Sequence, residues 1–191
     1  IDAGTYNIKA TVSKDGYKDW TKEAVLTINP KPIAVTGLNA ESKQYDGTNI
    51  ATLSGGVIEG IVARDAADQY CNEHMGYRIK YYIPETGTFA DANAGNDKAV
   101  SIAKIELTGC SAENYELTQP TGLKANITKA PLTVEATDVS VRVGSALPAF
   151  SYTITAGRLF GNDTLTGAFA TTCTSTNVAN EYTITQGTLT A

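Results

Sequence analysis

His74 is the residue on which most conventional catalytic or metal sites in this chain would depend. It is the only histidine, so sites that need two imidazoles are excluded. Cys71 and His74 have the C-x-x-H spacing of half a zinc site, but Cys110 is the only further thiol nearby in sequence. No G-x-S-x-G motif presents a nucleophilic serine. We therefore expect His74 to lie in an exposed loop, without a catalytic or zinc-binding role.

Paired carboxylates are the second route to chemistry, because glycoside hydrolysis needs two of them flanking a cleft. The acidic residues of the middle of the chain are Asp65, Asp68, Glu73 and Glu85. A segment of about 100 residues built from short strands leaves little room for a deep cleft. These side chains are predicted to be solvated loop charges, and the chain is predicted not to be an enzyme.

Asp91, Asn93, Gly95 and Asp97 place oxygen-bearing side chains at alternate positions of a predicted turn. Such spacing weakly resembles a calcium loop, with Asp91, Asn93 and Asp97 as candidate ligands. The glutamate that closes an EF-hand loop is missing, and so are the flanking helices. A turn that favours Asp, Asn and Gly is the preferred interpretation, and no cofactor is predicted.

Exposed aromatic rings stack on sugar faces, so Tyr17, Trp20 and Tyr82 are candidate glycan contacts. Rings of this kind more often cover the surface of a sheet. Lys80 and Asn126 are conceivable partners for an isopeptide cross-link, although no motif singles them out. Such a link would need a buried lysine with an acid beside it.

Composition narrows the function classes further. The chain has 191 residues, a net charge of −5 and no run of basic residues, so binding to nucleic acid or direct membrane insertion is not expected. Ten Tyr, few charges and many Thr, Gly and Asn favour strands and turns. Three cysteines are an odd count for a disulfide framework; Cys71 and Cys110 either pair or remain thiols.

One pattern occurs twice and divides the chain. Ile28, Pro32, Ile33 and Val35 have the same spacing as Ile127, Pro131, Leu132 and Val134. Each copy closes one extended segment and opens the next, which predicts similar modules joined by short connections that contain proline. We expect modules at 32–129 and 131–191, preceded by the end of another at 1–29.

Residues 1–29 read as strand, turn and strand, because Tyr6, Ile8, Ala10 and Val12 alternate with polar residues. The D-x-G-x-Y spacing that ends at Tyr6 is typical of the tyrosine corner of immunoglobulin-like sandwiches, with Gly4 at its centre. A similar corner ends at Tyr182, where Asn180 replaces the glycine and tolerates left-handed backbone. One strand, 183–189, should follow it, so the last module is expected to lack its final strand. A lone hairpin is unstable, so 1–29 should pack on another module or exchange strands with a neighbouring molecule.

In the middle module, Tyr77, Ile79, Tyr81 and Ile83 form the clearest predicted strand. Further strands are predicted at 33–36, 57–62, 99–107, 115–117 and 123–127. Tyr45, Asp46 and Gly47 predict a turn with positive φ at the glycine. Ala63 to Asn72 is rich in alanine and polar residues, which favours a short helical turn. The predicted class is all-β, with tandem immunoglobulin-like sandwiches; a β-grasp-like middle module is the alternative.

These residues also carry a family resemblance. Residues 32–129 resemble the YDG domain of bacterial surface proteins, through segments 43–48, 87–95, 107–109, 113–117 and 127–130. Residues 131–191 resemble the MBG domain of the YGX type, through segments 146–148, 152–155, 161–167 and 182–185. Val143 stands where that family usually has the tyrosine of its Tyr-Gly pair. Residues 1–29 resemble the tail of another such repeat.

The resemblance implies a secreted, extracellular, multi-repeat protein on the bacterial cell surface or cell wall, with no catalytic residues. A spacer region of an adhesin is the first interpretation, with neighbouring repeats of the same polypeptide as its partners. Binding to host or mucin glycans is the alternative, and an accessory region of an exported enzyme is the second alternative. Tyr6, Gly4, Tyr45, Asp46, Gly47 and Tyr182 are then structural residues.

Overall fold

The protein was analysed as a computed structural model, which describes residues 1–66, 71, 76, 78–174 and 176–191. Strands dominate the described residues, and their helices are two short 3-10 turns, Ala63–Asp65 and Ala112–Asn114. The predicted all-β class is thus confirmed, whereas face-to-face sandwich packing within each module stays a prediction. The chain forms two compact units: residues 1–43, 49–91 and 95–126, and residues 44–48, 92–94 and 127–191.

The first element is a hairpin of β1 (Gly4–Val12) and β2 (Trp20–Ile28), which we call the N-terminal hairpin. Its antiparallel register runs from Gly4 opposite Ile28 to Val12 opposite Trp20, and the two strands form a sheet of their own. The turn is closed by the Tyr17 amide, which donates to the Lys14 carbonyl at 3.0 Å. Both faces of the hairpin are largely exposed.

The middle of the chain forms one mixed sheet of seven strands in the order β4-β9-β7-β6-β5-β3-β8. The strands are β3 (Lys31–Ala40), β4 (Lys43–Gln44), β5 (Ile50–Glu59), β6 (Thr86–Phe89), β7 (Gly95–Ser101), β8 (Tyr115–Thr118) and β9 (Lys124–Thr128). β3 pairs antiparallel with β5 and parallel with β8. Parallel neighbours need a long crossover, which the 74 residues between Ala40 and Tyr115 provide.

A core of buried apolar side chains lies in the first unit. Its members are Ile33, Ile58, Ile79, Ile105 and Tyr115, surrounded by partly buried residues such as Val35, Ile83 and Leu117. Burying one such large side chain contributes about 1.5–3 kcal/mol. Since the members come from β3, β5, β8 and two segments outside the sheet, the core connects segments that are distant in sequence.

The strand predicted at 77–83 is wrong for the residues that the structure describes there. Lys80 makes an isolated bridge to Thr108, with backbone hydrogen bonds of 2.8 Å in both directions, and no longer ladder forms among residues 78–83. Burial nevertheless alternates, because Ile79 is fully buried while Lys80 and Tyr82 are exposed. The pattern correctly indicated which side chains face inward, but alternation carries no information about a hydrogen-bonding partner.

The strand predicted at 99–107 is also shorter than expected, because β7 ends at Ser101. Beyond it, the Gln119 side chain takes the place of a neighbouring strand. Its Oε1 accepts from the Ile105 amide at 2.9 Å, and its Nε2 donates to the Ile105 carbonyl at 2.8 Å. The backbone polar groups of a buried residue must be satisfied, and here a side-chain amide satisfies them.

The second unit contains two small antiparallel sheets. β10 (Thr133–Ala136) pairs with β11 (Tyr152–Ala156), and β12 (Ala170–Thr171) pairs with β13 (Ile184–Thr185). The strand predicted at 183–189 is therefore wrong over most of its length. A turn interrupts it, because the Leu189 amide donates to the Gln186 carbonyl and Gly187 has φ +58°. Over the described ranges of the chain, no helix has the length and apolar content to span a membrane.

Candidate functional site

The turn at residues 45–48, which we call the motif loop, follows directly after β4. The Tyr45 amide donates to the Thr128 carbonyl at 2.8 Å, which holds the start of the loop beside β9. Asp46 Oδ1 accepts from both the amide and the hydroxyl of Thr48, each at 2.8 Å. Gly47 has φ +78°, a conformation that L side chains rarely adopt. Aspartate and glycine are therefore needed for this turn.

The motif loop belongs to the second compact unit, where it packs on the turn at residues 158–163. The Tyr45 ring meets Phe160 edge-on, with ring centres 5.6 Å apart at 88°. The Tyr45 hydroxyl donates to Asp163 Oδ2 at 2.9 Å. The hydrogen bond to Asp163 and a smaller effect of burial raise the pKa of Tyr45. Tyr45 therefore remains a donor at neutral pH.

The turn at residues 158–163, on which the motif loop packs, is itself held by local contacts. The Asp163 amide donates to the Phe160 carbonyl at 2.9 Å, and the Arg158 guanidinium lies 4.7 Å from the centre of the Phe160 ring. A Cβ atom added to Gly47 would lie 2.9 Å from Phe160 Cβ. Glycine is thus required at position 47 for two reasons: its left-handed backbone and its close approach to Phe160.

Both predicted tyrosine corners have the bond that defines such a corner. The Tyr6 hydroxyl donates to the Asp2 carbonyl at 2.8 Å, and the Tyr182 hydroxyl donates to the Val178 carbonyl at 3.0 Å. Gly4 has φ +150°. Asn180 does not use the left-handed backbone that asparagine tolerates, because Asp97 is the one non-glycine with positive φ among the described residues. Asn180 Oδ1 instead accepts from the Glu181 amide at 2.9 Å.

The first corner is bonded to other parts of the first unit. Asp2 Oδ1 accepts from Arg64 at 2.8 Å and from Asn114 Nδ2 at 2.9 Å, while the Ala3 amide donates to Asn114 Oδ1 at 2.5 Å. The hydrogen bond from Asn114 is the main cause that lowers the pKa of Asp2, and Arg64 lowers it further. These contacts attach the N-terminal hairpin to the segment that follows it.

Asp65 is the most deeply buried charged residue in the described chain, with 1% exposure. It was expected to be solvated, so that prediction is wrong; Glu85 is exposed as expected. The Asp65 oxygens accept hydrogen bonds from Ser111 Oγ at 3.0 Å and from the Tyr115 hydroxyl at 2.9 Å. They also lie 3.4 Å from Arg64 Nε and 3.6 Å from Arg78 Nη1. Four partners compensate the carboxylate for the water it loses on burial.

Tyr115 connects Asp65 and its partners, which we call the carboxylate cluster, to the backbone of Val62. Its hydroxyl donates to Asp65 and accepts from the Val62 amide at 3.1 Å. Burial raises the pKa of Tyr115, and the hydrogen bond to Asp65 adds to the effect. Among the described residues every buried side-chain polar atom has a partner, so the cluster offers no unsatisfied group to a substrate.

Cys71 and Cys110 form a disulfide bond; their Cα atoms are 6.5 Å apart, and the two cysteines are separated by 39 positions in sequence. The sequence left this pairing open. Cys110 directly precedes Ser111, which donates to Asp65, so the covalent link lies next to the buried carboxylate cluster. Cys173 is a free cysteine.

The candidate chemical sites find little support in the described residues. His74, Asp68 and Glu73 lie outside them. Asp91 Oδ1 is 2.6 Å from Lys98 Nζ, an interaction that competes with metal binding by this candidate ligand. Among the residues that the structure describes, no cluster of three His, Cys, Asp or Glu residues could hold a metal ion. Lys80 is exposed, and the Asn126 side chain accepts from the Asp97 amide, which disfavours the isopeptide link.

The candidate glycan residues are exposed. Tyr17 and Trp20 flank the end of the N-terminal hairpin, and Tyr82 follows the bridge at Lys80. Lys14 Nζ lies 5.1 Å from the centre of the Tyr17 ring and partly occupies one of its faces. A shallow cavity of about 260 Å³ lies elsewhere in the first unit, between residues 100–104 and 119–123.

Two known protein families match parts of this chain. The YDG domain family matches residues 29–122, and the MBG domain (YGX type) matches residues 132–191. The chain carries a YDG domain followed by an MBG domain. The motif loop contains the Tyr-Asp-Gly sequence of the YDG domain, and it packs on the Phe160–Asp163 turn of the MBG domain within the second compact unit. No curated protein and no solved structure matches the chain.

Sequence reasoning identified the motif loop and both corners but missed their partners. Phe160 and Asp163 lie 115 residues or more beyond Tyr45, and no local pattern connects them. Asp2 was considered only as part of the corner, although its side chain binds Arg64 and Asn114. For Asp65 a local signal was present, because the adjacent Arg64 is a possible ion-pair partner.

Proposed function

We propose that this chain is a non-catalytic spacer region of a bacterial cell-surface protein of the adhesin type. The YDG and MBG domains support a repeat module of a surface protein, and the additional step to a mechanical role rests on their connection. Residues 44–48 and 92–94 belong to the second unit although the first unit surrounds them in sequence. The chain therefore passes between the units five times, at 43–44, 48–49, 91–92, 94–95 and 126–127.

This connectivity is the observation that carries the proposal. Two domains joined by one linker separate as soon as the linker stretches. Here the motif loop is held in the second unit by Tyr45 and Gly47, so extension of that unit has to break these contacts. Catalysis would need an unsatisfied or exposed reactive cluster, whereas the carboxylate cluster at Asp65 is buried and fully bonded.

The disulfide between Cys71 and Cys110 supports an extracellular location. Disulfides persist in oxidising compartments and are rare in the cytosol. In this proposal the partners are neighbouring repeats of the same polypeptide. Mechanical pulling on single molecules tests the proposal, and discrete unfolding steps are expected.

Glycan binding is the second candidate, favoured by the exposure of Tyr17, Trp20 and Tyr82. A glycan array probed with the whole chain separates the two functions. The spacer proposal predicts no signal above that of a Trp20→Ala variant. A signal that is lost in Trp20→Ala or Tyr82→Ala, while far-UV circular dichroism is unchanged, would favour the glycan function.

A further inference from the structure

Two Asp-Gly pairs occur in this chain, Asp15-Gly16 and Asp46-Gly47. In such a pair the backbone nitrogen that follows the aspartate is unhindered, because glycine has no Cβ atom. This nitrogen can attack the side-chain carboxyl group of the aspartate and close a cyclic succinimide. Since the two pairs have the same chemistry, a difference between their reactivities in the folded protein has to come from their surroundings.

Asp15 and Gly16 lie in the exposed turn of the N-terminal hairpin. Within the part of the chain that the structure describes, the Asp15 carboxylate makes no hydrogen bond or ion pair. Gly16 has φ +81°, and no atom lies within 4 Å of the position that a Cβ atom would occupy there. The Asp15 side chain is therefore free to rotate onto the Gly16 nitrogen, and the turn leaves space for the ring.

Asp46 and Gly47 are held by their neighbours in the motif loop. Asp46 Oδ1 accepts from the amide and the hydroxyl of Thr48, each at 2.8 Å, so the carboxylate has to break two hydrogen bonds before it can turn to the Gly47 nitrogen. Gly47 lies against Phe160, because an added Cβ atom would be 2.9 Å from Phe160 Cβ. Closing the succinimide therefore requires the motif loop to open.

We propose that Asp15 is a site of spontaneous isoaspartate formation in the folded protein, and that the contacts of the motif loop protect Asp46 from the same reaction. The Gly16 nitrogen forms a bond to Cγ of Asp15, and the hydroxyl group of the protonated carboxyl leaves with the amide hydrogen as water. Water then adds to the ring at the α-carbonyl carbon of Asp15. The bond from that carbon to the Gly16 nitrogen breaks, and the chain stays connected through Cγ. The product is an isomer of the original chain, so the reaction needs no oxidant, reductant or other reactant.

The modification lengthens the turn of the hairpin, because the linkage through Cγ adds one methylene group to the backbone at Asp15. The hydrogen bond from the Tyr17 amide to the Lys14 carbonyl and the 5.1 Å contact of Lys14 Nζ with the Tyr17 ring both span this position. Both contacts should be lost, and the pairing of Val12 with Trp20 beside the turn should weaken. The proposed spacer function does not depend on this modification.

Prolonged incubation of the folded whole chain at neutral pH, followed by denaturation and peptide mapping, tests the proposal. An aspartate-specific protease cleaves before aspartate but not before isoaspartate. The bond before Asp15 should therefore become resistant, while the bond before Asp46 stays cleavable. In the reduced chain held unfolded in urea, both bonds should become resistant at similar rates. Folding should slow the conversion of Asp46 at least about tenfold, because the motif loop reacts only when it opens.

Three variants serve as controls. Asp15→Glu keeps the negative charge but has to close a larger ring, so its Tyr17 amide resonance should persist over an incubation in which the original chain loses it. Phe160→Ala removes the contact with Gly47, and Thr48→Val removes one donor to Asp46 while leaving the packed ring in place. Each should speed the conversion of Asp46 in the folded chain and leave that of Asp15 unchanged. Far-UV circular dichroism checks that the variants are folded.

The proposal is overturned if Asp15 survives in the folded chain over a period in which the unfolded chain converts both pairs. Equal rates for Asp15 and Asp46 in the folded chain would also overturn it, since the surroundings of the motif loop would then give no protection. An unchanged rate at Asp46 in both Phe160→Ala and Thr48→Val would refute the assigned cause of that protection.

Discussion

The hydroxyl of Tyr45 donates a hydrogen bond to Asp163 across 118 positions of sequence. This bond joins the tyrosine of the YDG motif to a residue of the MBG domain, and both residues belong to one compact unit. The motif loop therefore has a structural role that its local sequence does not reveal. Its aspartate and glycine shape the turn, while its tyrosine supplies the long-range contact.

Gly47→Ala should destabilise the second unit for two separate reasons. The left-handed backbone costs about 1–2 kcal/mol for an L side chain, and the new Cβ would press on Phe160 Cβ at 2.9 Å, which adds about 1–3 kcal/mol. Gly144→Ala is the control, because Gly144 has φ +86° in the same unit and no atom within 4 Å of the added Cβ.

Urea unfolding followed by residue-resolved NMR measures both variants. Gly144→Ala should show the backbone cost alone, and Gly47→Ala should lose more stability. Equal losses in the two variants would mean that the contact with Phe160 contributes nothing.

Asp65→Ala should lower the free energy of unfolding of the first unit by about 2–4 kcal/mol. The substitution leaves the Ser111 and Tyr115 hydroxyls without their acceptor in a buried site, at about 1–3 kcal/mol each. Glu106→Ala is the control, since Glu106 and its partner Lys104 are both exposed and a surface pair contributes about 0–1 kcal/mol. Chemical denaturation compares the two variants, and a small effect at Asp65 would show that water replaces its bonds.

The hydrogen bonds that Asp2, in the first tyrosine corner, accepts from Arg64 and Asn114 should weaken in acid. The pKa of Asp2 is lowered from its ordinary value of 3.8, so the folded state favours the carboxylate. The resulting stabilisation is fully present above pH 3.8 and is lost as the pH falls through the lower folded value. An NMR titration of Asp2 and of the Asn114 side-chain amide measures this transition. Asp2→Asn should abolish it, and an unshifted Asp2 titration would contradict the assigned bonds.

Reduction of the Cys71–Cys110 bond should cost about 2–4 kcal/mol of stability, because the bond closes a long loop in the unfolded chain. Alkylation of the unfolded, unreduced protein should modify one cysteine, Cys173, and alkylation after reduction should modify all three. Intact mass separates the two cases. Three modified cysteines before reduction would exclude the disulfide. Cys173→Ser is the control and should keep the loss of stability on reduction.

Local sequence patterns predicted those strands and turns that depend mainly on neighbouring residues. Alternation located β1, strands were also predicted over most of β8 and β9, and the Asp-Gly pair located the motif loop with its positive φ at Gly47. Alternation at 77–83 predicted burial but not the strand, because hydrogen-bonding partners are a tertiary property. The Gln119 side chain that replaces a strand at Ile105 has no sequence signature.

The charged contacts were the least predictable part. Asp65 and Asp2 look alike in sequence, since both are loop aspartates near turns, yet one is buried and the other exposed. Their difference arises from partners 46 to 112 positions away, Ser111 and Tyr115 for Asp65 and Arg64 and Asn114 for Asp2. Pairing at that separation is decided by the complete fold.

Pulling single molecules by their two ends is the most direct measurement of the proposed mechanical role. The account predicts discrete unfolding steps, with a lower unfolding force for the second unit in Gly47→Ala and an unchanged order of events in Gly144→Ala. Reduction of the disulfide should lengthen the extended first unit by roughly 130 Å, as expected for 39 released residues. Extension at low force without discrete steps would contradict a spacer whose packed units resist load.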